Sequence, residues 1–145
     1  MYLKFIGTSD PVLIGFSVNP SQNRYYTCAD WETAIFDVVI TDRTNSFDIL
    51  ASRFTCPVTG VYMFTLTILN IDGYYARCDI MIESSQKAIV NSFDGSSTHN
   101  FNGASNSVIE ECQAGQHAWV CPYCTEDYGA MSGRYVIFSG FLGCR

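Results

Sequence analysis

Short apolar runs broken by turn residues organise this chain. Residues 12–18, 33–40, 61–70, 75–83, 88–93, 108–112, 117–121 and 135–142 each read as a strand. The breaks fall at 19–21, 41–45, 57–60, 72–73, 94–95 and 114–115, where Asn, Asp, Pro and Gly supply turn dihedrals at low cost. Helical periodicity is weak throughout, so the pattern predicts a sandwich or jelly roll of one domain, residues 1–145. In 61–70 one face is Tyr62, Phe64, Leu66 and Ile68, and the other mixes Val61, Met63 and Leu69 with Thr65 and Thr67. That is a strand with one core face and one half-polar face. The final run is apolar on both faces: Tyr135, Ile137 and Phe141 on one, Val136, Phe138 and Leu142 on the other. In a two-sheet sandwich the outer face is wet, so a second subunit is expected to cover it.

Composition narrows the classes. Hydrophobic residues at 48% against 15% charged exclude a disordered tail. The 14% aromatic content favours pleated surfaces and an all-β fold. With 8 Lys plus Arg against 14 Asp plus Glu the net charge is −6, the wrong sign for general nucleic-acid binding. No apolar run approaches the roughly 20 residues of a bilayer span. Met1 to Asp10 contain no signal-peptide apolar block, so a mature or trimmed chain is expected.

Seven cysteines (Cys28, Cys56, Cys78, Cys112, Cys121, Cys124 and Cys144) point to an oxidising compartment and hence secretion. An odd count leaves at least one thiol free, buried or paired between chains. Cys121-Pro122-Tyr123-Cys124 has redox spacing, but no helix pattern follows it, as a thioredoxin-like unit would require. A loop disulfide or inert buried thiols fit better. His99 and His117 are too few for a Cys/His zinc site. No nucleophile elbow, phosphate loop or His-Glu-x-x-His occurs. Glu110 and Glu111 are adjacent on a strand and point to opposite faces, so they cannot act jointly as acid and base. The chain is expected not to be an enzyme.

One long spaced pattern stands out. Phe36 is followed by Asp42, Phe47, Phe54 and Gly60, then by Tyr62 and Phe64 at alternate positions. This resembles the signature of the complement 1q globular-head family, with Leu66 where the family usually has an aromatic. Gly15-Phe16-Ser17-Val18 resembles the family's first strand. Residues 109–120 with Gly115 and Trp119 resemble its Gly-x-x-x-Trp strand, and 134–142, with Phe138-Ser139-Gly140-Phe141-Leu142, its closing strand.

The resemblance covers about residues 12–143 and implies a ten-stranded jelly roll assembled as a homotrimer. It implies a disulfide between Cys56 and Cys78, and calcium held by Asp94 and Asn102. It also implies a secreted ligand-binding module, either an innate-immune lectin-like protein for microbial glycans or lipopolysaccharide, or a receptor-binding trimer of the adiponectin or cerebellin kind. Ligands would meet exposed loops on a rigid scaffold. The aromatic–polar loops 70–75, 96–102 and 123–128 offer Asp72, Tyr74, Tyr75, Asn100, Tyr123, Glu126 and Tyr128 as candidate binding residues.

Overall fold

The computed structural model describes residues 13–26, 33–92, 101–123, 128–130 and 133–144. Among them, strands run β1 (Gly15–Asn19), β2 (Arg24–Tyr26), β3 (Val38–Asp42), β4 (Phe47–Asp48), β5 (Arg53–Thr55), β6 (Gly60–Leu69), β7 (Ala76–Ile82), β8 (Ser85–Ser92), β9 (Gly103–Cys112), β10 (His117–Pro122), β11 (Tyr128–Ala130) and β12 (Ile137–Cys144). Ten of them form two five-stranded antiparallel sheets, β3-β1-β12-β6-β9 and β4-β5-β10-β7-β8, and β11 and β2 pair as a separate ribbon. This is the expected jelly-roll sandwich.

Side-chain alternation explains the packing. In β6, Tyr62, Phe64, Leu66 and Ile68 are all fully buried, and the intervening residues face outward. They meet Phe16, Phe54 and Phe138 in one aromatic core. Phe16 stacks on Phe54 at 4.5 Å between ring centres and meets Phe138 edge-on at 5.1 Å. Gly140 is required at this point. A Cβ there would lie 2.6 Å from the Phe16 ring and 2.7 Å from the Phe64 ring.

Several boundaries differ from the apolar pattern, each for a physical reason. Residues 33–37 are extended but join no ladder, because other groups take their amides. Ala34 N–H donates to Val120 O, Ile35 N–H to the Tyr26 hydroxyl and Phe36 N–H to Ser52 Oγ. Strand β9 begins at Gly103, five residues before the apolar run at 108. Its polar first half, Ala104 to Ser107, gains strand geometry from pairing with β6 and not from its own pattern. At the chain's end, Gly133–Tyr135 form a 3-10 turn, so Tyr135 precedes the last strand and is exposed.

The expected Cys56–Cys78 disulfide is corrected: Cys56 is bonded to Cys112. Strand β10 lies between β5 and β7, which separates those strands by roughly 9–10 Å. Cys78 also pairs with Pro122 at one end of β10, whereas Cys56 N–H donates to Gln116 O beyond the other end. No disulfide spans that distance. Cys112 instead sits opposite Gly60 in β9, so the bond joins the two sheets at one end of the sandwich.

The outer face of the first sheet is ordered by register. Phe141, Met63 and Ile109 form one lateral apolar row. Phe141 is 50% exposed and Ile109 67%, and farther along the sheet the edge strand β3 exposes Val38, Val39 and Ile40, opposite Val18 and Asn19. The next row is hydroxyl in every strand: Thr41, Ser17, Ser139, Thr65 and Ser107. Ser17 and Ser139 are hydrogen-bonded at 2.5 Å.

Candidate functional site

The loop between β6 and β7 is built around Asn70. This side chain is fully buried and uses its whole amide: Nδ2 donates to Ile71 O at 3.3 Å and Tyr74 O at 3.1 Å, and Oδ1 accepts from Asn102 N–H at 2.6 Å. Ser92 Oγ donates to Asn102 O, which also takes Asn70 N–H. A buried amide so satisfied fixes its neighbours. Gly73, at φ 82°, turns the chain between Asp72 and Tyr74. The β2–β11 ribbon is stitched to this loop, with Ile71 N–H donating to Gly129 O and Gly129 N–H to Tyr75 O. Gly129 admits the Tyr74 side chain, since a Cβ there would lie 2.7 Å from it. Tyr74 in turn meets Tyr25 edge-on at 5.2 Å, and Tyr25 is 56% exposed. One end of the sandwich thus presents two tyrosine rings, Tyr74 from the loop that also holds Asp72 and Tyr75.

Tyr123 lies on the outer face of the second sheet, beneath Arg77 at 3.7 Å from guanidinium carbon to ring centre. Arg77 also approaches Asp79 at 3.7 Å, and Asp79 accepts from Gln86 Nε2 at 2.7 Å. Cys121 pairs with Asp79 across the ladder. Burial and the Asp79 carboxylate push the Cys121 thiol upward, the opposite of what a reactive thiolate needs. It sits within a strand and not at a helix start, which disfavours redox chemistry there. Glu110 pairs with Lys87 at 3.0 Å, joining the two sheets at one edge, so it does not act with Glu111. His117 lies 3.4 Å from Glu83.

The C1q domain profile matches residues 15–142. The chain belongs to the C1q domain family. In structure, this C1q domain superposes on the globular domain of zebrafish complement 1qA with a TM-score of 0.73 at 19% identity, covering 91% of this chain and 98% of that one. In sequence it is 30% identical over 107 residues to Caprin-2 of Danio rerio, covering 74% of this chain and 12% of that protein. It is 26% identical over 111 residues to a complement C1q subcomponent of Homo sapiens, covering 77% of this chain and 43% of that protein. The chain therefore spans less than half the length of these relatives. The family includes innate-immune and signalling trimers, its domains typically trimerise and are typically secreted, and the fold is a ligand-binding one. No helix among the described residues is long and apolar enough to cross a membrane.

The C1q motif has a plain physical reading here. Phe36, Phe47, Phe54, Tyr62 and Phe64 are core residues, and Leu66 fills its slot without a ring. Asp42 is a turn cap: its carboxylate accepts from Ser46 N–H at 3.0 Å and Phe47 N–H at 2.8 Å, which aims Phe47 inward.

Of the predicted binding residues, the structure brings together Asp72, Tyr74 and Tyr75, with Tyr123 on the adjoining sheet face. Tyr128 is in β11, and Asn100, Glu126 and Asp94 lie outside the described residues. Asn102 gives its main chain to Asn70 and Ser92. Among the described residues no three His, Cys, Asp or Glu side chains come together as a metal-binding group. Sequence reasoning missed Tyr25, Arg53 and Arg77, and had Asn70 only as the first residue of a candidate loop. Asn70 reads as an ordinary loop residue until β9 is aligned. The two arginines read as scattered charges until the sheet register sets each beside an aromatic ring.

Proposed function

We propose that this C1q domain is the head of a secreted homotrimer that recognises microbial glycans or lipopolysaccharide in innate immunity. The observation that carries the reading is the rigid aromatic end of the sandwich. Tyr25 and Tyr74 offer apolar ring faces, and the loop that carries Tyr74 adds the polar residues Asp72 and Tyr75. Sugars present the same mixture of C–H faces and hydroxyls. The buried Asn70 amide holds the loop in place, so little conformational entropy is lost on binding. Trimer formation is supported by the exposed Phe141–Met63–Ile109 row, which a second and third copy would cover. Three heads would convert weak single-site affinity into avidity.

A glycan array with the purified chain, run with and without Ca²⁺, tests this function. Enrichment of bacterial glycans that is lost in Tyr74→Ala is the expected result. An array with no enrichment, alongside capture of a cell-surface protein from membranes, would overturn it in favour of a receptor-binding trimer. Calcium belongs to the proposal through Asp94 and Asn102, and a signal unchanged by chelation would remove that part.

A further inference from the structure

The outer face of the second sheet holds an open cleft of about 890 Å³, well away in the sheet from the Asn70 loop. Its floor is built from neighbouring strands: Trp119 on β10 pairs with Met81 on β7, and Arg53 reaches over Trp119 from β5. Cys121 adjoins them, and Thr33 and Ser84 supply hydroxyls at the sides. Among the described residues Arg53 is the one charged group lining it, on a chain whose net charge is −6.

The guanidinium of Arg53 lies over the Trp119 indole at 4.2 Å. One amino group reaches Thr33 Oγ1 at 3.4 Å, a weak contact. No carboxylate among the described residues lies within ion-pair distance of it. The other aromatic-stacked arginine described, Arg77, has Asp79 beside it, so the contrast is specific to the cleft. Stacking on an indole fixes the guanidinium plane and leaves its edge donors for an incoming group. Those donors fit a planar or compact oxyanion with two oxygens.

We propose that this cleft is a subsite for acidic saccharides, in which Arg53 takes a carboxylate or sulfate and Trp119, Met81, Thr33 and Ser84 receive the sugar ring. The chemistry of the lining carries the ring assignment: apolar indole and thioether below, hydroxyls at the rim. A second argument is electrostatic. The acidic surface repels polyanions at long range, so an acidic sugar gains only where a local positive group meets it. The proposal rests on the reading of this domain as a carbohydrate-binding head and adds the class of sugar and the residue that selects it.

Isothermal titration and indole emission at physiological ionic strength test it with three probes: a galacturonate oligomer, the same oligomer reduced to neutral sugars, and a sulfated counterpart. The galacturonate or the sulfated oligomer should bind at least roughly tenfold more tightly than the neutral one, in line with a charge-assisted hydrogen bond. Which of the two binds identifies the oxyanion. Arg53→Gln should erase the preference. Arg53→Lys should restore only part of it, since an ammonium neither forks nor stacks as the guanidinium does. Trp119→Phe should abolish the emission change while circular dichroism reports an intact fold. A preference kept in Arg53→Gln, or acidic binding without any change in emission, overturns the subsite. Equal binding of neutral and acidic oligomers also overturns it but leaves carbohydrate recognition standing. Failure of every saccharide to bind overturns both readings.

Discussion

Removing the cross-sheet disulfide gives the sharpest test of the fold. Cys56 and Cys112 are 56 residues apart and both are buried. Closing a loop of that length restricts the unfolded chain by about 4 kcal/mol in the loop-entropy treatment. Replacing a buried cysteine by alanine adds a small void worth about 1 kcal/mol. Cys56→Ala and Cys112→Ala should therefore each lose about 5 kcal/mol. That is a large share of a domain's usual 5–15 kcal/mol, and corresponds to a fall in Tm of roughly 10–20 °C. The two losses should coincide, and the double variant should be only about 1 kcal/mol worse than either, because the bond can be lost only once. Cys78→Ala should cost clearly less than either, since it leaves the Cys56–Cys112 bond intact. Urea unfolding at one protein concentration measures all four variants, since association adds a concentration-dependent contribution.

A non-reducing tryptic map separates Cys78 from the other candidates directly, and fragmentation of the linked peptide assigns Cys112 over Cys121 and Cys124. Cleavage after Arg53, Arg77, Lys87 and Arg134 places the three cysteines on different peptides. Peptide 54–77 should be joined to 88–134. A link from 54–77 to 78–87, or Cys78→Ala matching Cys56→Ala while Cys112→Ala is silent, would refute the sheet order derived above.

Three further outcomes are expected. Gly140→Ala should destabilise by about 2–3 kcal/mol through overpacking against Phe16 and Phe64, read as a lower urea midpoint with unchanged slope. Burial drives the Tyr26 phenol up to about 12 despite the opposing hydrogen bond from Ile35 N–H. Its folded pKa is thus above the unfolded value, so its contribution is complete below pH 10 and is lost as pH rises from 10 to 12. That is about 2–3 kcal/mol, and Tyr26→Phe should flatten this part of the stability–pH curve. Phe141→Glu with Ile109→Glu should turn an assembly near three times 16.2 kDa into monomers in sedimentation, with the fold intact by circular dichroism. A wild-type monomer at micromolar concentration would remove the trimer.

What could be read from the sequence depended on whether a residue's role is set locally. Tyr62, Phe64, Leu66 and Ile68 announce a core face because period-two alternation is a property of one strand, and the observed β6 begins one residue earlier and ends one earlier than the apolar run. The spaced aromatics are equally legible, since each occupies the same core. The disulfide was not, because Cys112 approaches Cys56 only after β9 aligns along β6, and no spacing in the sequence encodes that register. The same holds for Asn70, whose partners on residues 71, 74 and 102 come from two loops. Arg53 and Trp119 are 66 positions apart in the sequence and become neighbours only through the β5–β10 ladder.

The two outer faces of the sandwich are chemically unlike, and that difference argues for a division of labour. The first sheet shows the Phe141–Met63–Ile109 row and a line of five hydroxyls, and Arg, Lys, Asp and Glu are absent from these two rows. Such a surface can be covered by copies of itself without burying an unpaired charge, the costliest failure at an interface, and its hydroxyls can pair across a symmetric contact. The second sheet carries Arg53, Arg77, Asp79, Glu83 and His117, with its aromatic rings stacked under guanidinium groups. Burying that face against a copy would set Arg53 near Arg53 or strip its water without a partner. Self-association through the first sheet therefore leaves the second free for an anionic ligand. Charge reversal should separate the two. Arg53→Glu should abolish acidic-saccharide binding while leaving the sedimenting mass unchanged, and a fall in mass would show that this face belongs to the assembly instead.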